Sequence, residues 1–213
     1  GAVHLEMYGS SIARLTDVGI HDAEAGLVGG ALSIEAIAST GETPLVDLNR
    51  VRITDARGLV AGIHAADVRV TADELEMEDL EGSAVMAGGG DVAFELHAST
   101  IQRVDGALLR TDGAEDVRLA LDDTQVSGIA GDAVAPHGHE QLDIALTDTT
   151  LQQNTADGSA FLDARMADTL TAIRLTCPTG ALANTPADLV DVDGTHAVGV
   201  EASFTCTGGD CDL

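Results

Sequence analysis

The sequence has very few aromatic residues. Among 213 residues there is no Trp, one Tyr and three Phe, although hydrophobic residues make up 45% of the chain. A core of this composition is built from Val, Ile, Leu and Ala, which suits a narrow interior of small repeated layers better than a core anchored by large rings. The length allows one domain or a short repeat array.

Lysine is also absent, so the 10 basic residues are all Arg, and they face 36 acidic residues. The resulting net charge of −26 repels phosphate backbones, and we therefore expect no nucleic-acid partner. A solvated surface on a secreted or salt-tolerant protein is the ordinary explanation of such a charge. No apolar run approaches the ~18 residues of a transmembrane helix, so we expect no membrane insertion.

What the sequence does contain is a repeat. Its pattern is an apolar leading residue, a small or β-branched residue three positions later, and an aliphatic residue two positions after that. Six successive segments follow the pattern, although the third has Leu75 at the small or β-branched position, and their leading residues are Leu15, Leu48, Ala72, Leu96, Leu121 and Leu146. The intervals between these leading residues are 33, 24, 24, 25 and 25. Longer segments led by Leu175 and Ala202 extend the repeat.

Most repeat units also show a period of two, as in Val68, Val70 and Ala72, which predicts a half-buried strand. About twelve residues after each leading residue, a Gly or small residue precedes an aliphatic one, as in Gly82-Ser-Ala-Val85. One unit buries its apolar residues only by stacking on its neighbours. The sequence therefore predicts an all-β, right-handed parallel β-helix of about eight coils, each with three short strands, in a single domain over residues 1–213.

The spacing also predicts an insertion and open ends. The first interval of 33 is about nine residues longer than the next, and we place the extra residues at Ala38 to Pro44 and their neighbours. Gly1-Ala2-Val3 matches the late part of a unit, Gly131-Asp-Ala-Val134, and Leu213 also falls inside a unit. Because an uncapped coil exposes a strand edge, we expect the chain to be a segment of a longer protein.

The units, Leu-x-x-Thr/Ser-x-aliphatic followed by Gly-x-Ala-Val over roughly residues 1–206, resemble the parallel β-helix repeats of the pectin-lyase-like superfamily. That superfamily includes polysaccharide lyases, hydrolases and epimerases, phage tailspikes, and passenger domains of adhesins and other surface proteins. The resemblance implies a fold and leaves the activity open, because one fold carries many functions.

The polygalacturonase-like members combine Asn-Thr-Asp, Asp-Asp and Gly-His-Gly motifs with a following Arg-x-Lys. Thr111-Asp112-Gly113, Asp122-Asp123 and His137-Gly138-His139 echo these pieces in order. However, the spacings are shorter, the Asn and the leading Gly are missing, and there is no Lys. Ordinary bend residues, for which Asp and Gly are favoured, are the alternative explanation.

A second set of candidate catalytic residues follows from position alone. The residues one after each leading residue include Asp73, His97, Asp122 and then Thr147, which stacking would place on successive coils. A His between two carboxylates has a raised pKa and can transfer protons or bind a cation. The alternative is a solvated bend whose polar side chains point outward.

The resemblance also raises the question of Ca²⁺, which lyases of the superfamily commonly hold with carboxylates. Asp188, Asp191 and Asp193 offer the oxygen ligands that hard cations prefer, although their spacing does not fit an EF-hand loop. We expect no dedicated cofactor, with Ca²⁺ as the one candidate.

The three cysteines are Cys177, Cys206 and Cys211. Cys206 and Cys211 flank Thr-Gly-Gly-Asp, a flexible span that could close a small disulfide loop and would fit an oxidising compartment. Free thiols are the alternative.

Two classes of function remain. The sequence favours a non-catalytic extracellular or cell-surface scaffold or adhesin-type module that binds a surface protein or glycan. The alternative is an enzyme acting on a polysaccharide, either a lyase or a glycoside hydrolase. Carbohydrate grooves usually offer aromatic platforms and, for polyuronates, cationic side chains, whereas this chain has Tyr8 as its single Tyr, no Trp and no Lys.

Overall fold

A computed structural model describes residues 3–24, 31–37, 41–58, 61–111, 113, 115–130, 134–135, 141–147, 149–155, 162–163, 172–177, 183–185, 190–191 and 201–206. Within these residues the chain forms a 19-stranded parallel sheet and contains no helix. In this part of the chain, accordingly, no helix has the length and apolar character needed to cross a membrane.

The strands follow one another at short intervals. In chain order they are β1 (Val3–Tyr8), β2 (Ile12–His21), β3 (Leu32–Ile37), β4 (Leu45–Thr54), β5 (Ala61–Asp73), β6 (Glu76–Glu81), β7 (Val85–His97), β8 (Thr100–Asp105), β9 (Leu109–Thr111), β10 (Asp116–Asp122), β11 (Gln125–Ile129), β12 (Val134–Ala135), β13 (Gln141–Thr147), β14 (Thr150–Thr155), β15 (Leu162–Asp163), β16 (Ala172–Cys177), β17 (Ala183–Thr185), β18 (Val190–Asp191) and β19 (Glu201–Cys206).

The strands stack into three parallel ladders. The first ladder runs through the starts of β2 and β4, the ends of β5 and β7, and then β10, β13, β16 and β19. The second runs through the ends of β2 and β4 and then β6, β8, β11, β14 and β17. The third runs through β1, β3, the starts of β5 and β7, and then β9, β12, β15 and β18. This architecture confirms the predicted parallel β-solenoid with three strands per coil.

The register follows the repeat. The leading residues are direct partners between neighbouring coils, in the pairs Leu15–Leu48, Leu48–Ala72, Ala72–Leu96, Leu96–Leu121 and Leu121–Leu146. Because side chains alternate between the two faces of a strand, this register sends the same repeat position inward in every coil.

The predicted number of coils was wrong. The part of the chain that the structure describes has about five turns rather than eight. The sequence count assumed that every leading residue opens a full turn of three strands. Beyond residue 130 the structure describes separate strand segments, such as β13, β16 and β19, so this number of turns refers to the described residues.

The last leading residue was also placed wrongly. Leu175 pairs with Phe204, and Ala202 pairs with Ile173, so the leading position of β19 is two residues later than predicted. A shift of two residues keeps the same side chains on the same face, which is why the pattern of apolar residues did not reveal the error.

Part of the predicted insertion lies where we expected it. Ala36 and Leu45 are nine positions apart, whereas their partners Ala65 and Arg69 are four apart. Five of the extra residues therefore fall in the connection that contains Ala38 to Pro44.

The rest of the insertion lies elsewhere in the same coil. Ile20 and Leu32 are twelve positions apart, whereas their partners Ile53 and Ala61 are eight apart. Four extra residues thus follow β2, and placing the whole insertion at one connection was wrong. The interval between leading residues gives only the total length of a coil.

The core is a continuous stack of aliphatic side chains. One of its columns consists of Ile20, Ile53, Met77, Ile101 and Val126, all of them buried. Phe94 is a buried aromatic member of a neighbouring column. Full burial of one such side chain stabilises a fold by about 1.5–3 kcal/mol relative to exposure, so the interior stack is the main source of stability.

Bends of special backbone geometry separate the ladders. At the bend between the first and second ladders, one residue in each of five successive coils has a positive φ of 48–56°, and these residues are Asp17, Arg50, Glu74, Ala98 and Asp123. At the bend after the second ladder the backbones of successive coils come very close. A Cβ on Gly82 would lie 2.3 Å from the carbonyl oxygen of Gly58, so Gly82 can have no side chain.

Candidate functional site

Asp73, His97 and Asp122 form an outward-facing column where the first ladder meets its bend. They are the last residues of β5, β7 and β10, and each is the register partner of the next. Thr147 of β13 continues the column at the next coil. The structure therefore brings together three of the sequence-predicted candidates, while their proposed role stays a prediction.

The column is joined by side-chain contacts. His97 Nδ1 lies 2.9 Å from Asp73 Oδ1, which is hydrogen-bond distance, and His97 Nε2 lies 3.8 Å from Asp122 Oδ2. The amide of Asn49, one coil earlier, donates to Asp73 Oδ2 over 3.4 Å. When both ring nitrogens carry protons, His97 can serve both carboxylates at once.

These neighbours shift the titration of His97. The hydrogen bond to Asp73 raises the pKa of His97 above its usual value, and the negative charges of Asp122, Asp73 and Asp123 add to the increase. Slight burial acts in the opposite direction. Because the His97 side chain is 58% exposed, solvent weakens each of these interactions.

Buried hydroxyl groups hold this bend from the inside. Ser99 Oγ donates to the carbonyl of His97 over 2.8 Å and accepts from the backbone N–H of Leu75 over 3.0 Å. Thr124 Oγ1 donates to the carbonyl of Asp122 over 2.9 Å. This role was not predicted. The available signal was the residue three positions after the leading residue, which is Val18 or Leu75 in earlier units but Ser99 and Thr124 in later ones.

The column lines one side of a shallow groove of about 510 Å³ on the first ladder. Glu95 lies in the same groove and is shared by two arginines, at 2.7 Å from Arg69 and 3.8 Å from Arg118. The groove is open to solvent, so the imidazole and carboxylates of the column can exchange protons with water, but the groove does not enclose a reacting bond.

The pieces that echo the polygalacturonase motifs do not meet in the described residues. Thr111 is buried at the end of β9 in the third ladder, whereas Asp122 ends β10 in the first. Asp123 follows directly, with a φ of 48° at the bend. Asp112 and the segment from His137 to His139 lie outside the described residues.

The predicted calcium ligands are only partly described. Asp191 lies in β18 and is the register partner of Asp163 in β15, while Asp188 and Asp193 lie outside the described residues. In the part of the chain that the structure describes, no group of three or more His, Cys, Asp or Glu side chains has the geometry to hold a metal ion. Calcium binding stays a prediction.

A second column of acidic residues, which was not predicted from the sequence, lies at the start of the first ladder. Asp67, Asp91 and Asp116 line a groove of about 340 Å³. Burial raises the pKa of Asp91, and the negative charges of Asp116 and Asp67 raise it further. The signal was an Asp at the same repeat position in three successive units.

A group of exposed apolar side chains was also not predicted from the sequence. Tyr8, Ile12 and Ile37 are 60%, 59% and 51% exposed, and they are the large hydrophobic side chains exposed in the described part of the chain. Tyr8 and Ile37 are register partners in β1 and β3, and Ile12 follows Tyr8 by four residues, after the bend that leads into β2. We call these three residues the apolar corner.

Carboxylates flank the apolar corner. Glu6 and Glu35 are register partners two residues before Tyr8 and Ile37 in their strands, and so on the same face. The Tyr8 hydroxyl donates to Glu6, and this hydrogen bond, followed by burial and by the charges of Glu6 and Glu35, raises the pKa of Tyr8. Two like charges stacked on neighbouring strands repel each other, so this surface favours a cationic neighbour.

The fold makes this chain a member of the structural class of parallel β-solenoids. Comparisons with protein-family models, with curated proteins and with solved structures found no match. The resemblance to the pectin-lyase-like superfamily therefore depends on the repeat pattern itself.

Proposed function

We propose that this chain is a non-catalytic extracellular or cell-surface β-solenoid that acts as a scaffold and binds a protein ligand. The observation that carries the proposal is the apolar corner of Tyr8, Ile12 and Ile37. Exposed large hydrophobic side chains that gather in one place are a common mark of protein-binding surfaces. Tyr is also frequent among the residues that dominate binding energy.

The charge around the corner favours a basic ligand. Glu6 and Glu35 place two carboxylates beside the apolar side chains, on a chain of net charge −26. A segment that combines aliphatic side chains with Lys or Arg matches both features. We therefore propose a basic, apolar segment of a protein as the ligand, in preference to a glycan.

The grooves support the same choice. Sugar-binding grooves stack sugar rings on exposed aromatic side chains, whereas Phe94 is buried and Tyr8 lies at the apolar corner, away from the groove of His97. Phe161 and the side chain of Phe204 lie outside the described part of the structure.

The test uses a synthetic peptide of alternating Val and Lys as the probe. We expect the double variant Tyr8→Ser/Ile37→Thr to bind it at least ~10-fold more weakly, because the variant loses two apolar contacts. Glu6→Gln/Glu35→Gln should also weaken binding and reduce its salt dependence. Titration calorimetry at two salt concentrations measures both effects.

A matched control separates the corner from the overall charge. Glu74→Gln/Glu115→Gln removes the same two charges at exposed positions outside the apolar corner, and we expect it to change affinity by less than about 2-fold. Equal weakening by both carboxylate pairs, together with no effect of Tyr8→Ser/Ile37→Thr, would contradict the proposed binding surface.

The column of Asp73, His97 and Asp122 favours one second candidate, an enzyme that acts on a polysaccharide. Its test is turnover on a panel of polysaccharides with and without Ca²⁺, scored by new reducing ends and unsaturated products. Cleavage that is lost in both His97→Ala and Asp122→Ala would establish the enzyme and overturn the non-catalytic proposal. Absence of turnover on every substrate supports the binding module.

A further inference from the structure

The outer side of the third ladder carries little charge on a strongly acidic chain. Its outward-facing residues in the described strands form one column of His4, Ser33, Gly62, Met86 and Arg110, a second of Glu6, Glu35, His64 and Gly88, and a third that contains Tyr8 and Ile37. We call this surface the third-ladder face. Among these residues there are two carboxylates and one arginine.

The outer side of the first ladder is much more acidic. Its described outward-facing charges are those of Asp47, Asp67, Asp73, Asp91, Glu95, Asp116 and Asp122 together with Arg14, Arg69 and Arg118. Like charges repel, and each chain has a net charge of −26. A second copy of the chain therefore meets less repulsion at the third-ladder face than at the first ladder.

Arg110, at one end of the third-ladder face, carries a positive charge that its own chain leaves unpaired in the described residues. It is exposed, and it is the register partner of the half-exposed Met86. Of the arginines whose side chains the structure describes, Arg110 alone makes no ion pair with another described residue. Arg110 and Met86 together offer the cationic and apolar groups that would complement the apolar corner and its carboxylates.

The two ends of the third-ladder face match each other under two-fold symmetry. An axis perpendicular to the sheet at β5 reverses both the order and the direction of the strands, so β1 of one copy lies over β9 of the other, and β3 lies over β7. The column of Tyr8 and Ile37 then lies over the column of Met86 and Arg110. Tyr8 faces Arg110 of the second copy, Ile37 faces its Met86, and each contact occurs twice.

The chemistry of the facing groups suits this arrangement. A guanidinium over the ring of Tyr8 makes a cation–π contact, and Glu6, which accepts the hydrogen bond of the Tyr8 hydroxyl, supplies a carboxylate next to it. Ile37 and Met86 bury apolar surface against each other. Gly62 and Gly88, in the middle of the face, have no side chains that would hold the two sheets apart.

The size of the third-ladder face determines the strength of the contact. Strands β1 and β9 are four strand spacings apart, about 19 Å, so each copy would bury on the order of 400–500 Å². Interfaces of this size belong to the weak and transient class rather than to obligate dimers.

We propose that two copies of this chain associate reversibly through the third-ladder face, with the apolar corner of each copy against Met86 and Arg110 of the other. The inference rests on the proposed function, because it takes the apolar corner as the binding surface, and it names a second copy as the partner. Met86 and Arg110 have the apolar and basic character that was proposed for the ligand.

The first test is sedimentation velocity of the full chain from about 10 μM to about 1 mM. A salt concentration of about 0.15 M limits repulsion between the chains to short range. We expect the sedimentation coefficient to rise from that of a monomer toward that of a dimer as the concentration increases. A monomer at every concentration would overturn the proposal.

A reducing agent is present throughout these measurements, because a disulfide between copies would also produce a dimer. The disulfide between Cys206 and Cys211 stays a prediction, since Cys211 lies outside the described residues.

A pair of complementary variants tests the assigned contacts. Ile37→Glu and Met86→Arg each set two charges against apolar side chains, so we expect each variant alone to associate at least ~10-fold more weakly than the parent. An equimolar mixture of the two joins the new carboxylate to the new guanidinium at one contact and keeps the parent pair at the other. We expect the mixture to regain the parent affinity to within about 3-fold.

Gln125→Arg, at an exposed position on the second ladder, is the matched control and should change association by less than about 2-fold. Thermal melts show that each variant is folded before it is compared. No recovery in the mixture, or parent-like association of either variant alone, would overturn the assigned face.

Arg110→Gln separates this inference from the proposed function, because Arg110 lies outside the apolar corner. We expect self-association to weaken about 5–30-fold, since the contact with Tyr8 is lost twice. The affinity for the peptide of Val and Lys, measured at low protein concentration, should stay unchanged. Peptide binding without self-association would overturn the dimer alone. Self-association without peptide binding would support the dimer and contradict the proposed peptide ligand.

Discussion

The inside and the outside of the coils follow the same register but are held by different forces. Inside, Met77 and Ile101 stack as fully buried aliphatic side chains. Outside, His97 and Asp73 stack at the same spacing but remain about half exposed. Buried aliphatic groups contribute about 1.5–3 kcal/mol each, whereas exposed ion pairs contribute about 0–1 kcal/mol. Stability therefore depends on the interior, and the exterior is free to carry function.

The largest difference between the two sides should appear when a charge is introduced. Ile101→Asp places a carboxylate in the dry stack, and we expect it to cost about 4 kcal/mol or more and to unfold the chain cooperatively. Thermal melts followed by circular dichroism measure the loss. Gln125→Asp, at an exposed position, is the control and should melt like the parent protein. An Ile101→Asp variant melting within about two degrees of the parent would contradict the assigned register.

The next largest effect should come from the close approach of coils at Gly82. A Cβ there would lie 2.3 Å from the Gly58 oxygen at a φ of +121°, so we expect Gly82→Ala to cost about 2–4 kcal/mol. Gly113→Ala is the control, because Gly113 has a φ of +69° but open space around the added Cβ. It should cost only about 1–2 kcal/mol. Denaturant unfolding separates the two, and equal costs would show that the coils do not approach each other at Gly82.

A smaller loss of stability should follow from removing the buried hydroxyl group of Ser99, which bonds to the backbone at the bend of the outward-facing His97. Ser99→Ala leaves the buried N–H of Leu75 without its acceptor, so we expect a loss of about 1–3 kcal/mol. Ser127→Ala, on the outer side of β11, should change stability by less than about 0.5 kcal/mol. Urea unfolding of both variants provides the comparison. Equal, small effects would mean that the hydroxyl does not support the bend of His97.

The smallest effect on stability should come from the charge of His97. Since the pKa of His97 is raised above 6.5 in the folded chain, its contribution to stability is fully present below pH 6.5 and is lost as the pH rises through the raised pKa. His97→Gln should therefore remove a small stabilisation at acidic pH only. Titration of the ring protons by NMR should show a larger fall in the pKa of His97 in Asp73→Asn than in Asp122→Asn. A pKa that neither substitution changes would exclude the described contacts.

The architecture could be predicted because aliphatic stacking repeats at nearly constant length. From Leu15 to Leu151 the intervals are regular enough to give the register of the first two ladders. At β19 the prediction failed, because Ala202 and Phe204 fit the same alternation and the interval there is longer. The interval also gives only the total length of the first coil, so it could not divide the insertion between its two connections.

The candidate site was predictable to the same extent. His97 follows a leading residue directly, so its neighbours Asp73 and Asp122 could be found by counting. The apolar corner could not, because pairing Tyr8 with Ile37 requires the register of the third ladder in the coil that contains the insertion.

The most direct test of the central claim, in-register stacking of parallel coils, is a set of cross-strand backbone proton contacts measured by NOE spectroscopy. The structure predicts contacts between Met77 and Ile101 and between Ile101 and Val126, residues that are 24 and 25 positions apart on strands about 4.8 Å apart. A pattern whose strongest contacts join Ile101 to residues other than Met77 and Val126, or a pattern of antiparallel pairs, would contradict the solenoid and the outward columns that depend on it.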